Sequence, residues 1–329
     1  MNDSWSTFLA LVKAGLWEQE ACLPAPPDAD GWEQIRSFAR EQAVQGLLLR
    51  GISHLSARQL PPPAWRMRLM QEVDDIVRTN ARMAQVEAAL LEQFRADGTE
   101  VLVIKGSRLA RFYAHPETRS SGDIDLYVPH FQRALDLFPQ ASPTPDGSAL
   151  VAVDGVTIDL HRRYYDLHVP QDRLPAPGSV CGELLLTGAH IMKHAVGVGV
   201  GLKQLCDMAI GLDRCWGSYQ PGELEQAVRR SGMGRFWPLL CSLLVQELGL
   251  APEKCGPSFR EVNPAPLMRI VRRGGNFGTA HPARRQAVQK GGRHSKLSTA
   301  LAFAARLPFS LWYAPKETSS TIAELVKGN

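Results

Sequence analysis

The sequence predicts an α+β chain, with a short strand-rich segment set between two longer helical stretches. Three observations predict it. Apolar residues recur at helical steps through the first hundred positions. The period then changes to alternation between about residues 100 and 161, and helical spacing returns beyond Glu183. The length of 329 residues suggests roughly two domains at about 150 residues each. A hydrophobic content of 44% argues against wholesale disorder.

Each element has a local cause. Pro24 to Asp30 reads as a loop after a first helix, and Trp32 to Leu55 reads as helical. Pro61-Pro62-Pro63 is a stiff break. Leu69, Val73, Ile76, Val77, Ala84, Leu91 and Phe94 then mark one face of an amphipathic helix, which Asp97-Gly98 stops. Val101 to Ile104 is a short branched apolar run, as a buried strand requires. Lys105-Gly106-Ser107 makes a turn into a short helix over Leu109 to Tyr113. Asp123 to Val128 alternates polar and apolar residues, and Asp154-Gly155 joins Ala149–Val153 to Val156–His161 as a tight hairpin. Helical pattern resumes through about Leu250, interrupted at Gly197, Gly199 and Gly201. The expected division is a helical region over 1–95, a core over 96–180, a second helical region over 181–265 and a basic tail over 266–329.

Composition closes some options. The six cysteines are widely spaced with no Cys-x-x-Cys pair, which fits reduced thiols in a cytoplasm. The opening residues lack a signal-peptide pattern. The least polar late stretch, Leu297 to Ala314, is broken by Arg306 and Pro308, so no membrane span is expected. Net charge is +4, but residues 260–329 hold 12 Lys/Arg against 3 acids, or +9, leaving −5 for the rest. Such a tail suits a polyanion such as RNA or an acidic peptide, or is simply solvated.

The carboxylates carry the chemistry. Alternation puts Asp123 and Asp125 on one strand face, with Ile124, Leu126 and Val128 on the other; Thr157, Asp159 and His161 likewise oppose Ile158 and Leu160. If the two strands are neighbours, three carboxylates converge and repel one another. Divalent cations resolve that conflict, and magnesium shares its shell readily with substrate phosphates. Two ions about 4 Å apart would serve an in-line displacement. Lys105, Gly106 and Ser107 at the strand-to-helix turn, with Arg119 just before the carboxylates, supply candidate phosphate contacts. Each piece alone has a plain alternative as a solvated turn or surface ion pair.

Together, Val103-Ile104-Lys105-Gly106-Ser107, Arg119-Ser120-Ser121-Gly122-Asp123-Ile124-Asp125-Leu126 and Ile158-Asp159-Leu160-His161 resemble the uncharacterised nucleotidyltransferase family of the DNA-polymerase-β-like superfamily. The likeness covers about residues 5 to 280 and does not extend to the last fifty. It implies a small mixed-sheet nucleotidyltransferase core flanked by helices, with Mg²⁺ or Mn²⁺, and transfer of a nucleoside monophosphate from a triphosphate, ATP being expected. Asp123, Asp125 and Asp159 would hold metal, Asp159 would also help deprotonate the acceptor hydroxyl, and Gly106 and Ser107 would contact phosphates. The acceptor stays open among a peptide or protein, RNA and a small molecule.

His161 beside Asp159, Lys193 near the cleft, and Asp207 as an acid on the following helix are supporting candidates. Lys203 and Asp207, one turn apart, read first as an ion pair. His190 and His194 lack the glutamate and third ligand of a zinc site and read as core or hydrogen-bonded histidines. Gly197 to Gly201 reads as an interhelical loop, and Trp5, Trp17 and Trp32 as core. The competing functions are phosphoryl transfer at the same site, nucleotide binding without turnover (a sensor or the antidote of a paired system), and a helical interaction scaffold.

Overall fold

A computed structural model describes residues 4–144, 147–197, 199–276 and 306–326. Four helices come first: α1 (Ser4–Trp17), α2 (Ala29–Gln42), α3 (Gln45–Ser53) and α4 (Pro63–Asp97). The helical stretch expected over Trp32 to Leu55 is two helices, because Ala43 takes a left-handed conformation at φ 56° and turns the chain. α4 begins on the last proline of Pro61-Pro62-Pro63, where a missing N–H costs nothing. Gly98 ends it in the left-handed region, with its N–H and that of Thr99 returning to Arg95 and Phe94.

The sheet follows: β1 (Leu102–Ile104), β2 (Ile124–Tyr127), β3 (Ser142–Pro143), β4 (Ala149–Val153) and β5 (Val156–His161), with short helices α5 (Gly106–Ala110) and α6 (Phe131–Leu137). Strand order is β1-β2-β5-β4-β3. Only β2 and β5 pair in parallel; β1 with β2, β4 with β5 and β3 with β4 are antiparallel. The fold is thus a small mixed sheet flanked by helices.

One sheet face is dry. Ile124, Leu126, Ile158 and Leu160 pack against Met83, Val86, Leu90 and Phe94 from the C-terminal half of α4. The N-terminal half of α4, through Trp65 and Leu69, joins a second core. That core also holds helices α7 (Val180–Val196), α8 (Leu202–Cys215), α9 (Pro221–Arg230), α10 (Phe236–Leu248) and α11 (Ala265–Gly274), so the first and last helical regions share one interior. Trp5 and Trp32 are buried there, and Trp17 donates its indole N–H to the Leu248 carbonyl.

Further helices α12 (Leu307–Tyr313) and α13 (Pro315–Val326) lie in the stretch expected to be a basic tail; residues 277–305 of that stretch are outside the described residues. Among the described residues no helix is long and apolar enough to cross a membrane. All six cysteines are free thiols, five of them buried.

Helices α1 and α3 touch through backbone at two glycines. A Cβ on Gly51 would lie 1.9 Å from the Leu11 carbonyl oxygen, and one on Gly15 would lie 2.0 Å from that of Leu47. Gly51→Ala therefore has to push two helices apart, at a cost of about 3 kcal/mol. A lower urea midpoint with an unchanged slope is expected; an unchanged midpoint would refute this reading of the crossing.

Candidate active site

The parallel register sets the site. It places Asp125 directly beside Asp159, and Ile104 of β1 lies opposite Asp125 on the other side. The hydrophobic partners of the alternation fill the dry face, so the two carboxylates emerge on the opposite face, toward α7 and α8. Asp123 sits one residue before β2 and is exposed at the rim of the same cleft. The cleft has a volume of about 240 Å³.

Lys105 enters from the β1–α5 turn. Its backbone holds φ 54° and ψ −121°, a conformation a non-glycine residue adopts at about 1–3 kcal/mol of strain. Its ammonium donates to Asp125 Oδ1 at 2.8 Å. His161 Nε2 lies 2.8 Å from the same oxygen, 3.2 Å from Lys105 Nζ and 3.3 Å from Asp159 Oδ2. Burial alone would raise the Asp125 pKa, but the Lys105 charge and the His161 hydrogen bond outweigh it and hold the carboxyl well below the usual range. Asp123 moves the other way: although the residue is exposed at the rim, the cleft walls around its carboxyl desolvate it, and the charge of Asp125 adds to that rise.

The loop into β2 is fixed by α4, whose Asn80 amide donates to the carbonyls of Glu117 and Arg119 at 2.8 and 2.7 Å. Arg119 is not a surface residue. Its guanidinium meets Asp207 of α8 with two 2.7 Å bonds, the side chains being 5% and 4% exposed. Tyr113 donates to the same carboxylate at 2.7 Å. Burial would lower the Arg119 pKa, but Asp207 overrides it and raises it. Asp207 is thus the shared acceptor of Arg119 and Tyr113, and its charge also acts on Lys203 one turn earlier in α8. The remaining Arg119 Nη1 is loosely held, 3.3 Å from Ser121 Oγ and 3.5 Å from the Ser120 carbonyl.

Gly106 lines the cleft, and the nearest atom to its missing Cβ is Arg119 Nη1 at 3.8 Å. Ser107 turns elsewhere: its hydroxyl donates to Glu87 of α4 at 2.6 Å, away from the lining. Lys193 lines the rim, paired with Asp166. Three residues that the sequence offered only as an ion pair (Lys203) and as core or hydrogen-bonded histidines (His190, His194) are brought to the cleft by α7 and α8. Burial pushes Lys203 down to about 8, with the Arg119 charge adding to it, and pushes His194 down to about 3. A lysine and two histidines on otherwise apolar buried helix faces were the available signal. Gly197 caps the end of α7 and Gly201 the start of α8, the two helices that carry them.

Asp125, Asp159 and His161 each offer a ligand atom, all within 4.8 Å of one another. Two carboxylates and an imidazole beside a polar cleft could hold a divalent cation. Five carboxylates and four Lys/Arg side chains line that cleft, an arrangement built around charge on both partners.

A family model described as an uncharacterised nucleotidyltransferase matches residues 28–248, a span holding both carboxylate strands and helices α7 and α8. Neither a curated protein nor a solved structure matches the chain. With more than half of its length matched, and the carboxylates paired across its central strands, the chain belongs to this nucleotidyltransferase family.

Proposed function

We propose that the protein transfers a nucleoside monophosphate from a nucleoside triphosphate, ATP being the expected donor, to a hydroxyl of an acceptor. The observation that carries this reading is the side-by-side placement of Asp125 and Asp159, facing the cations of α7 and α8 across one cleft. Asp123, Asp125 and Asp159 would hold the divalent ion, with His161 at its edge. Once bound, that ion supplies charge neutralisation at the phosphates.

The chain's own groups do the rest. Lys203 and the loosely held edge of Arg119 face the cleft as partners for phosphate oxygens, and Gly106 lets a phosphate approach the backbone. Asp159 would help take the acceptor's proton. The acceptor oxygen attacks the α-phosphorus, the bond from that phosphorus to the bridging oxygen breaks, and pyrophosphate leaves. Catalysis on this plan is positioning and charge stabilisation.

Label separates the possible reactions. With ATP and a cell extract as the acceptor pool, label at the α-phosphorus is expected in the product. Label from the γ-position alone would indicate phosphoryl transfer instead, and binding without release of pyrophosphate would indicate a nucleotide sensor.

Asp125→Asn and Asp159→Asn are each expected to lower transfer by about 10³-fold or more, since they remove charge stabilisation at the reacting phosphates. Their circular dichroism should match the wild type. Full activity in either variant would sink the enzyme reading.

A pH dependence follows from Lys203. In the free protein its ammonium titrates near 8, below its ordinary 10.5. Nucleotide affinity is therefore expected to weaken as pH rises through about 8, and Lys203→Arg should carry strong binding to higher pH. Stability moves oppositely. Between 8 and 10.5 the unfolded chain keeps a proton that the folded one has lost, so the Lys203 contribution to stability rises with pH. Calorimetric Kd values from pH 6.5 to 9.5 test the first statement; a flat wild-type profile would exclude Lys203 from the phosphates.

A further inference from the structure

The cation already present in the carboxylate cluster bears on how many metal ions it takes. The Lys105 ammonium is in contact with Asp125 Oδ1, the oxygen that also meets His161 Nε2 at 2.8 Å. That oxygen therefore carries two close nitrogen partners, one of them a full positive charge. A divalent ion on the same oxygen would sit at about 2.1 Å from it. Metal and ammonium would then be pressed together, with strong repulsion between a double and a single positive charge.

Lys105 is also poorly placed to move aside. Its side chain is 15% exposed. Its carbonyl accepts the Leu109 N–H at 2.9 Å, which anchors the start of α5. Its left-handed backbone is held on one side by β1, paired with β2 across Ile104 and Asp125. The conformation that is hardest for a lysine is the one that delivers the ammonium to the carboxylates. Burial, with the Lys105 charge adding to it, keeps His194 on the cleft wall neutral, so that charge is felt across the site.

We propose that the Lys105 ammonium is a built-in cation standing in one of the two metal positions, so that the centre takes a single divalent ion per chain. The inference rests on the metal-dependent reading above and specifies its stoichiometry. Lys105 and His161 would keep Asp125 Oδ1, and the other Asp125 oxygen with those of Asp123 and Asp159 would serve the one ion that arrives with the nucleotide.

Manganese counting tests this on the full chain. Mn²⁺ would be titrated in the presence of α,β-methylene-ATP, with bound ions counted by equilibrium dialysis and their spectrum recorded by electron paramagnetic resonance. One Mn²⁺ per chain is expected in the wild type, with the sextet of an isolated ion. Lys105→Met should admit a second Mn²⁺ at least tenfold more tightly than the wild type does, with the broadened spectrum of a coupled pair. Should Lys105→Met fail to fold, Lys105→Gly removes the same charge while relieving the positive φ. Two coupled ions in the wild type would overturn the inference and leave the nucleotidyltransferase reading intact. One ion in both wild type and a folded variant would show that Lys105 is not what excludes the second. No bound manganese in any form would remove the metal-dependent reading and this inference with it.

Discussion

The parallel pairing of β2 with β5 is the constraint on which the site depends. It is the one parallel contact in a sheet that is otherwise antiparallel. Neighbouring strands lie about 4.8 Å apart, so Asp125 and Asp159 are held as close neighbours whether or not that suits them electrostatically. Sliding either strand by one residue would put an aspartate into the dry face and an isoleucine into the cleft. That alternative is expensive: Ile124, Leu126, Ile158 and Leu160 are all at most 1% exposed, against the C-terminal half of α4. The apolar side of the sheet thus fixes the position of the acids on its polar side. The β4–β5 hairpin adds a second lock, because its Asp154-Gly155 turn sets where β5 begins.

Holding two acids together requires positive charge, and the chain supplies it from three distant segments. Lys105 comes from the first turn after β1, Arg119 from the loop before β2, and Lys203 from α8. Their placement is secured by polar ties between elements. The Gln42 side chain accepts the Leu202 N–H and donates to the Val271 carbonyl, joining the end of α2 to the start of α8 and to α11. Buried Glu183 of α7 receives Arg108 and Arg111 from around α5. Arg119 and Asp207 close the circuit. Buried ion pairs of this kind add little net stability, but breaking one by removing a partner costs about 3–5 kcal/mol. Their effect here is to specify one arrangement of sheet against helices.

The legible part of this structure was the part written in short-range pattern. Period-two alternation marked β2 and β5 and sorted their aspartates from their isoleucines, and Asp154-Gly155 announced the hairpin. The break at Pro61-Pro62-Pro63 and the stop at Gly98 bounded α4. What sequence could not carry was direction and distance. Arg119 read as a phosphate contact or a surface ion pair, because its buried partner lies 88 residues away on another helix. Ser107 read as a phosphate contact from its place in the Lys105-Gly106-Ser107 turn, and its hydroxyl donates to Glu87 of a helix that precedes the sheet. Lys105 read as a candidate phosphate contact, and nothing local announces its positive φ or its ion pair with Asp125. The two short elements α6 and β3 carry too few residues to display a period at all.

Charge at the site is also arranged unequally, and the inequality has a direction. Asp125, deep in the cluster, is held ionised by Lys105 and His161, while Asp123 at the rim is pushed toward its protonated form by burial and by Asp125. On the facing wall, Lys203 is weakened by burial beside Arg119. So each wall has one group locked in its charged state and one kept in it only reluctantly. On the proposed function, a triphosphate with its divalent ion would bring negative charge toward the helices and positive charge toward the sheet. Both reluctant groups would then gain counter-charge beyond what their neighbours supply, and ionisation of Asp123 and Lys203 would become more favourable together with binding. The locked pairs would meanwhile keep those residues in place.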